Sequence, residues 1–169
     1  MINKLYQSNV YIDGDSYLGK ASEVTLPEIN IKTIEHDGLG MLGVPETFAG
    51  IEKMEATLKF NSFYPEILKK ISNPLKSNIF QIRGNLEKNT SGGVISNVPV
   101  IAILNMKMKS DKGDALKRGE AAGKEHSFSV NSYKLVIDGD VMHDIDIFSE
   151  TYIVNGVDIM EEAKKNLGI

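Results

Sequence analysis

The side chains able to do chemistry are few and badly spaced for it. The chain has three histidines, His36, His126 and His143, and no cysteine. No two histidines have metal-ligand spacing, and without thiols there is no thiolate site, thiol nucleophile or disulfide. The run His143-Asp144-Ile145-Asp146 puts an imidazole beside two carboxylates. Neighbours along a strand face opposite sides, however, so this run reads as a solvated strand end. Asp13-Gly14-Asp15 and Asp138-Gly139-Asp140 have the look of calcium-loop fragments, but the downstream oxygen ligands and the bidentate glutamate are missing. As Asp-Gly pairs they are better read as hairpin turns. Gly38-x-Gly40-x-x-Gly43 matches a dinucleotide fingerprint by letters only, because no βαβ crossover surrounds it. There is no phosphate loop and no Gly-x-Ser-x-Gly elbow. The residues therefore nominate no catalytic group, no cofactor and no metal.

Charge narrows the partners. With 19 Lys and Arg against 23 Asp and Glu the net charge is -4, so a surface that grips nucleic acid is disfavoured. A wall that DNA passes without sticking stays compatible. The basic run Lys107, Lys109, Lys112, Lys117, Arg118 and Lys124 is diluted by Asp111, Asp114, Glu120 and Glu125 and lacks interleaved aromatics. It reads as a solvated loop in preference to an ion-paired subunit contact. Met1 to Val10 has no apolar signal region, and no apolar run approaches the ~20 residues of a membrane helix. No membrane segment is expected.

The framework is set by period-two alternation over a chain long enough for one domain, residues 1–169. Strands are expected at Asn9–Ile12, across Glu23–Glu35 with a bulge or sheet edge at Pro27, and from Met54 to Phe60. Others are expected at Asn78–Glu87, Val98–Lys109, Glu125–Asp138 with a register shift, and Val141–Ile147. Val100, Ala102, Leu104, Met106 and Met108 share one face of their strand. One internal helix is expected with Ser62 as cap, Pro65 in the first turn and Asn73-Pro74 as stop. A short helix at about 158–167 has capping-box spacing at Asp158 and Glu161, with Gly168 to close it. Residues 36–50 break the alternation with five glycines and prolines, too long a stretch for an ordinary hairpin loop. The sum is a mainly β (α+β) protein of two packed antiparallel sheets or an open barrel.

The order of these pieces resembles the major tail tube protein of contractile-tailed phages, a family that also supplies the inner tube of R-type bacteriocins. The match runs through Asn9-Val10-Tyr11-Ile12-Asp13-Gly14, Val24-Thr25-Leu26-Pro27, Gly38-Leu39-Gly40-Met41 and Gly50-Ile51-Glu52 with Met54-Glu55-Ala56. It continues through Lys117-Arg118-Gly119-Glu120, Tyr133-Lys134-Leu135-Val136-Ile137-Asp138-Gly139, Asn155-Gly156-Val157-Asp158 and Asn166-Leu167-Gly168-Ile169. Residues 71–99 carry little of it.

The resemblance implies a barrel-like sandwich flanked by a helix. It implies six subunits per ring, and rings stacked into a hollow tube inside a sheath. Itself, the sheath, baseplate and tape-measure proteins are the implied partners, with DNA or ions in transit. Such a particle is made in the host cytoplasm and released by lysis. The family has no catalytic residues. Within residues 36–50, Gly38, Leu39, Gly40, Met41, Leu42, Val44 and Phe48 are the expected inter-subunit arm, the alternative being a plain surface loop. Ser127, Ser129 and Asn131, opposite Phe128 and Val130, with Asn105 and Lys107, are the expected channel wall. A solvent-facing outer sheet fits those five equally well. Two other functions are weighed: a ring component of a type VI-like secretion system, and a small β-rich ligand-binding module.

Overall fold

The computed structural model describes residues 2–113, 115–120 and 122–169. Met1 and Asp114, both named above, lie outside the described residues. Twelve strands and two helices follow one another as β1 (Ile2–Ile12), β2 (Asp15–Ser16), β3 (Ala21–Thr25), β4 (Ile31–Glu35), β5 (Glu46–Ile51), β6 (Met54–Phe60), α1 (Pro65–Ile71) and β7 (Asn78–Thr90). The rest are β8 (Gly93–Asp111), β9 (Lys124–Ile137), β10 (Asp140–Asp146), β11 (Thr151–Val154), β12 (Val157–Asp158) and α2 (Glu161–Leu167).

All described pairings are antiparallel and fall into two sheets. The large one has ten strands, ordered β12-β11-β10-β9-β8-β7-β1-β2, with β6 branching from β9 and β3 pairing with β6. The small one is the β4–β5 hairpin. The mainly β expectation with antiparallel sheets and a flanking helix holds.

The large sheet curls because β9 is shared. One edge of β9 pairs with β8 over nearly its whole length. The other edge takes β10 at residues 132–137 and β6 at residues 124–130. Asn131 falls between them and is the extra residue where the β8 register slips, from Asn105 opposite Ser132 to Met106 opposite Val130. A bulge bends a strand and raises its twist, so β6 and β3 swing round to face β1 and β7. The register shift foreseen for this strand is this bulge, and it is why Phe128 and Val130 and then Tyr133 all point inward.

The inward faces form one apolar core. Val10 and Ile12 meet Met54, Leu58 and Phe60 across Phe80, Leu104, Met106 and Phe128, all buried. The seam is stitched by backbone bonds from Tyr17 N–H to Val10 O and from Asn61 N–H to Lys20 O. Helix α1 plugs one end with Ile67 and Ile71, both buried. A seven-residue helix is marginal alone, so that burial, about 1.5–3 kcal/mol per side chain, is what holds it.

Several boundaries differ from expectation. Strand β1 starts at Ile2, β7 runs on to Thr90, and β8 begins at Gly93. These extensions were invisible to alternation because neither face is buried there. The Pro27 region is a break with no strand between Thr25 and Ile31, while the bulge of β3 lies between Ala21 and Glu23. Ser62 does not cap α1: Tyr64 is the N-cap residue, makes no side-chain cap bond, and Pro65 opens the helix. Nor is there a capping box at Asp158, since α2 starts at Glu161 behind Met160. Gly168 does close α2, at φ 76°.

Candidate assembly surfaces

The antiparallel order assigns every loop to one of two ends. One end carries α1, the end of β8, the start of β9 and the link from β2 to β3. The other carries the start of β1, the β7–β8 hairpin and, between β3 and β6, the whole β4–β5 hairpin.

The expected arm falls on that hairpin. Residues 46–51, expected as loop, pair with β4: Thr33 opposite Phe48, Ile34 opposite Thr47, Glu35 opposite Glu46. The bond from His36 N–H to Pro45 O closes the stem, leaving 37–44 as the tip. Alternation failed to reveal β5 because its first half, Glu46 to Phe48, is exposed on both faces and only Ile51 packs on the core. Gly50, at φ 115°, lets the strand turn back into the body, where Glu52 N–H bonds Asn30 O. Leu39 and Leu42 at the tip are fully exposed, and Met41, Val44, Phe48 and Ile34 are exposed as well. Gly38 lies under Met41, whose Sδ would stand 3.3 Å from a Cβ there, and Gly40, at φ 87°, sits at the tip. A lone two-stranded hairpin is at best marginal in water, and exposed apolar side chains project from both faces of this one, Phe48 beside Thr33 and Ile34 beside Thr47.

A second projection stands beside the arm. The first half of β1 pairs with the end of β7, which pairs with the start of β8, so residues 2–7, 84–90 and 93–97 form a three-stranded flap. Ile2, Leu5, Tyr6, Val94 and Ile95 are exposed on it. Sequence reasoning missed it, because an apolar residue on a two-sided exposed strand leaves no periodic signal.

The polar face is organised by register. Lys107 is opposite Ser129, and Ser129 is opposite Glu55; Ser127 is opposite Thr57 and Asn105 opposite Ser132. Directly paired residues point the same way, so Asn105, Lys107, Ser127 and Ser129 share one wall. Asn131 joins it at the bulge, its amide donating to Ser77 Oγ at 3.4 Å. Glu55 binds both Lys53 (3.0 Å) and Lys109, which holds its carboxyl below the usual range, chiefly through the bond to Lys109. Glu55 thus offsets one of these two positive charges, and Lys107 makes no ion pair among the described residues.

The helix end has its own exposed apolar groups, Leu18, Phe63, Leu75 and Leu116. Here Lys20 binds Glu66 and Lys70 binds Asp15. The neighbouring loop is laced by Lys124–Asp111 (2.9 Å), Lys112–Glu125 (3.8 Å) and Lys117–Glu120 (3.7 Å).

The histidines do not converge. His126 is wholly buried between Phe60 and Phe128, under Ile67 and Leu68, with Nδ1 3.3 Å from Asp111 Oδ1 but neither ring nitrogen hydrogen-bonded. Burial pushes its pKa below the ordinary 6.5 against the pull of Asp111. His143 is not the solvated strand end expected. It packs at 4.7 Å against Tyr133 with Nε2 buried, and burial lowers its pKa too. Asp144, on the opposite face, pairs with Lys134 at 3.1 Å. Among the described residues no three His, Cys, Asp or Glu side chains are grouped to hold a metal. No described helix is long and apolar enough to cross a membrane.

A curled sheet with projecting ribbons and a polar wall, with no grouped metal ligands among the described residues, is the frame of a structural protein. The chain belongs to the phage tail tube protein FII family, whose model matches residues 2–168. The tail tube protein of Escherichia phage P2 is 27% identical over 174 aligned residues, covering 100% of this chain and 99% of that protein. The major tail tube protein of Serratia phage KSP20 is 25% identical over 155, covering 90% and 88%. Among solved structures, the fold resembles a chain of the extended sheath–tube complex of the PVC extracellular contractile injection system. The TM-score is 0.57 at 15% identity, covering 79% of this chain and 89% of that one. A chain of the extended sheath/tube terminator of that system aligns with TM-score 0.54 at 14% identity, covering 79% and 94%. The relatives are structural, and this protein is a structural tail tube component, not an enzyme.

Proposed function

We propose that this protein closes head to tail into six-membered rings that stack into the hollow inner tube of a contractile tail. The observation that carries the reading is the arm: a formed hairpin whose tip side chains, Leu39 and Leu42, have no cover in their own subunit. A ring needs a heterologous contact that closes, and a stack needs a second that does not. The arm and the flap give the subunit two such reaching elements at one end. In this reading the polar wall of Asn105, Lys107, Ser127, Ser129 and Asn131 faces the channel. Small hydroxyls and amides dominate this wall, and Glu55 offsets one of the two charges of Lys53 and Lys109, which limits the cations free to condense on a phosphate backbone, so DNA or ions slide past. A sheath surrounds the tube, with baseplate and tape-measure proteins at its ends.

Negative-stain electron microscopy of concentrated protein tests this, with rings or tubes of uniform bore expected. A protein that stays monomeric at high concentration and never extends a tube seed would overturn it. Sheath, baseplate and tape-measure genes beside this one would favour a phage-type tail over a secretion system.

A further inference from the structure

We infer that the arm of one copy docks on the helix-bearing end of a second copy, the arm-tip leucines against Leu75 and the arm acids facing Lys69 and Lys76. This rests on the tube reading and names the contact that propagates the stack.

Three observations on opposite ends of the subunit lead there. First, both ends offer apolar side chains that nothing covers: Leu39 and Leu42 at the arm tip, Leu75 just beyond α1. Second, the ends differ in free charge. The arm carries Lys32 against Glu35, Asp37 and Glu46, and none of the three acids makes an ion pair among the described residues. The helix end carries Lys69, Lys70 and Lys76; its acids Glu66 and Asp15 pair with Lys20 and Lys70, and Asp13, which lies within the field of Lys76 and Lys70, leaves Lys69 as the surplus positive charge. Lys69 and Lys76 are exposed and left without an ion pair among the described residues. Third, the two surfaces lie at opposite ends of antiparallel strands, so they cannot meet within one subunit.

Arm against arm would bring like charges together, and so would helix end against helix end. Arm against helix end pairs opposite charges around an apolar centre, the arrangement that selects one orientation and one partner. The contact is heterologous and along the strand direction, so it repeats without closing. It gives the stack a polarity, and it is softened by salt because its charges are exposed.

The absence of cysteine makes the test clean, since any disulfide must join introduced residues. Leu42→Cys and Leu75→Cys variants are mixed, assembled and oxidised. A reducible dimer containing one of each is expected, and the doubly substituted chain should give a ladder of longer oligomers. Independently, Lys69→Glu with Lys76→Glu should leave rings but no tubes, and adding Glu35→Lys with Glu46→Lys should restore tubes. Tubes that form without the Leu42–Leu75 crosslink, or arm variants that lose rings while keeping none of this charge dependence, would overturn the docking while the tube reading stands. Unmodified protein that forms neither rings nor tubes would overturn both.

Discussion

The rings of Phe80 and Phe128 meet edge to face, their centroids 5.1 Å apart and their planes at 60°, although a whole strand separates β7 from β9. In register, Phe80 is opposite Leu104 and Phe128 is opposite Met108, four residues further along β8. Only a sheet that curls tightly brings them into contact. Phe128→Ala removes the ring from the centre of the core, and a cost of about 3–5 kcal/mol is expected for a fully buried phenylalanine. Urea unfolding at fixed pH would measure it. A loss under about 1 kcal/mol would mean that the core does not close across this pair.

His126 makes the same core sensitive to acid. Its folded pKa is depressed by burial, so between that value and the ordinary 6.5 the unfolded chain binds the extra proton. The stability this group contributes is therefore fully present above pH 6.5 and is lost as pH falls toward the folded value. His143 shifts in the same direction. The groups facing His126 work against each other: Asp111 favours the charged ring and Lys124 opposes it. The unfolding midpoint should fall as pH drops below about 6.5, and His126→Leu should flatten part of that slope, leaving the share due to His143. An unchanged slope in the variant would show that the ring gains a proton without leaving its pocket.

Charges placed on the arm tip should separate folding from assembly. Leu39→Asp with Leu42→Asp touches residues that pack on nothing in the subunit, so monomer stability should stay within about 0.5 kcal/mol. Tube formation should be lost, because the two carboxylates would have to be buried in the contact. Thermal unfolding of dilute protein and electron microscopy of concentrated protein would read the two effects side by side. Tubes of normal length from the variant would exclude the arm tip from every contact.

Burial decides which parts of this molecule could be read without coordinates. Ala102, Leu104, Met106 and Met108 alternate because one face of β8 is dry, and the same logic recovers Met54 to Phe60 and the parity change around Asn131. Ile2 to Gln7 and Glu46 to Phe48 are equally good strand, yet their side chains are exposed, so no periodic signal was written into them. Residues 36–50 were singled out by their excess of apolar residues in a glycine-rich stretch, and the strand character of 46–50 was not. Leu18 and Leu75 were invisible for a related reason: a single exposed leucine beside a turn is ordinary until the fold sets several on one end. His126 gave no sign of its burial, since a ring at an inward parity position looks the same whether or not a helix lies over it.

Asp158 holds the C-terminal helix, and removing it should free that helix alone. Helix α2 buries no side chain, so packing does not keep it in place. Asp158 does so by accepting from Met160 N–H (3.0 Å), Tyr152 N–H (3.3 Å) and Lys164 Nζ (2.5 Å), which ties strand β11 to the helix start and to Lys164 within the helix. The bond from Lys164, then that from Met160, holds the carboxyl below its ordinary 3.8. The fastening is therefore present above pH 3.8 and is lost as pH falls through the lower folded value. Asp158→Ala should speed amide exchange across residues 161–167 and expose Lys164 and Lys165 to trypsin, with the global unfolding midpoint unmoved. Asp158→Asn, which keeps an acceptor for the backbone but not the charge for Lys164, should fall between. Equal trypsin resistance in the native protein and Asp158→Ala would show that α2 is held by something other than this carboxylate.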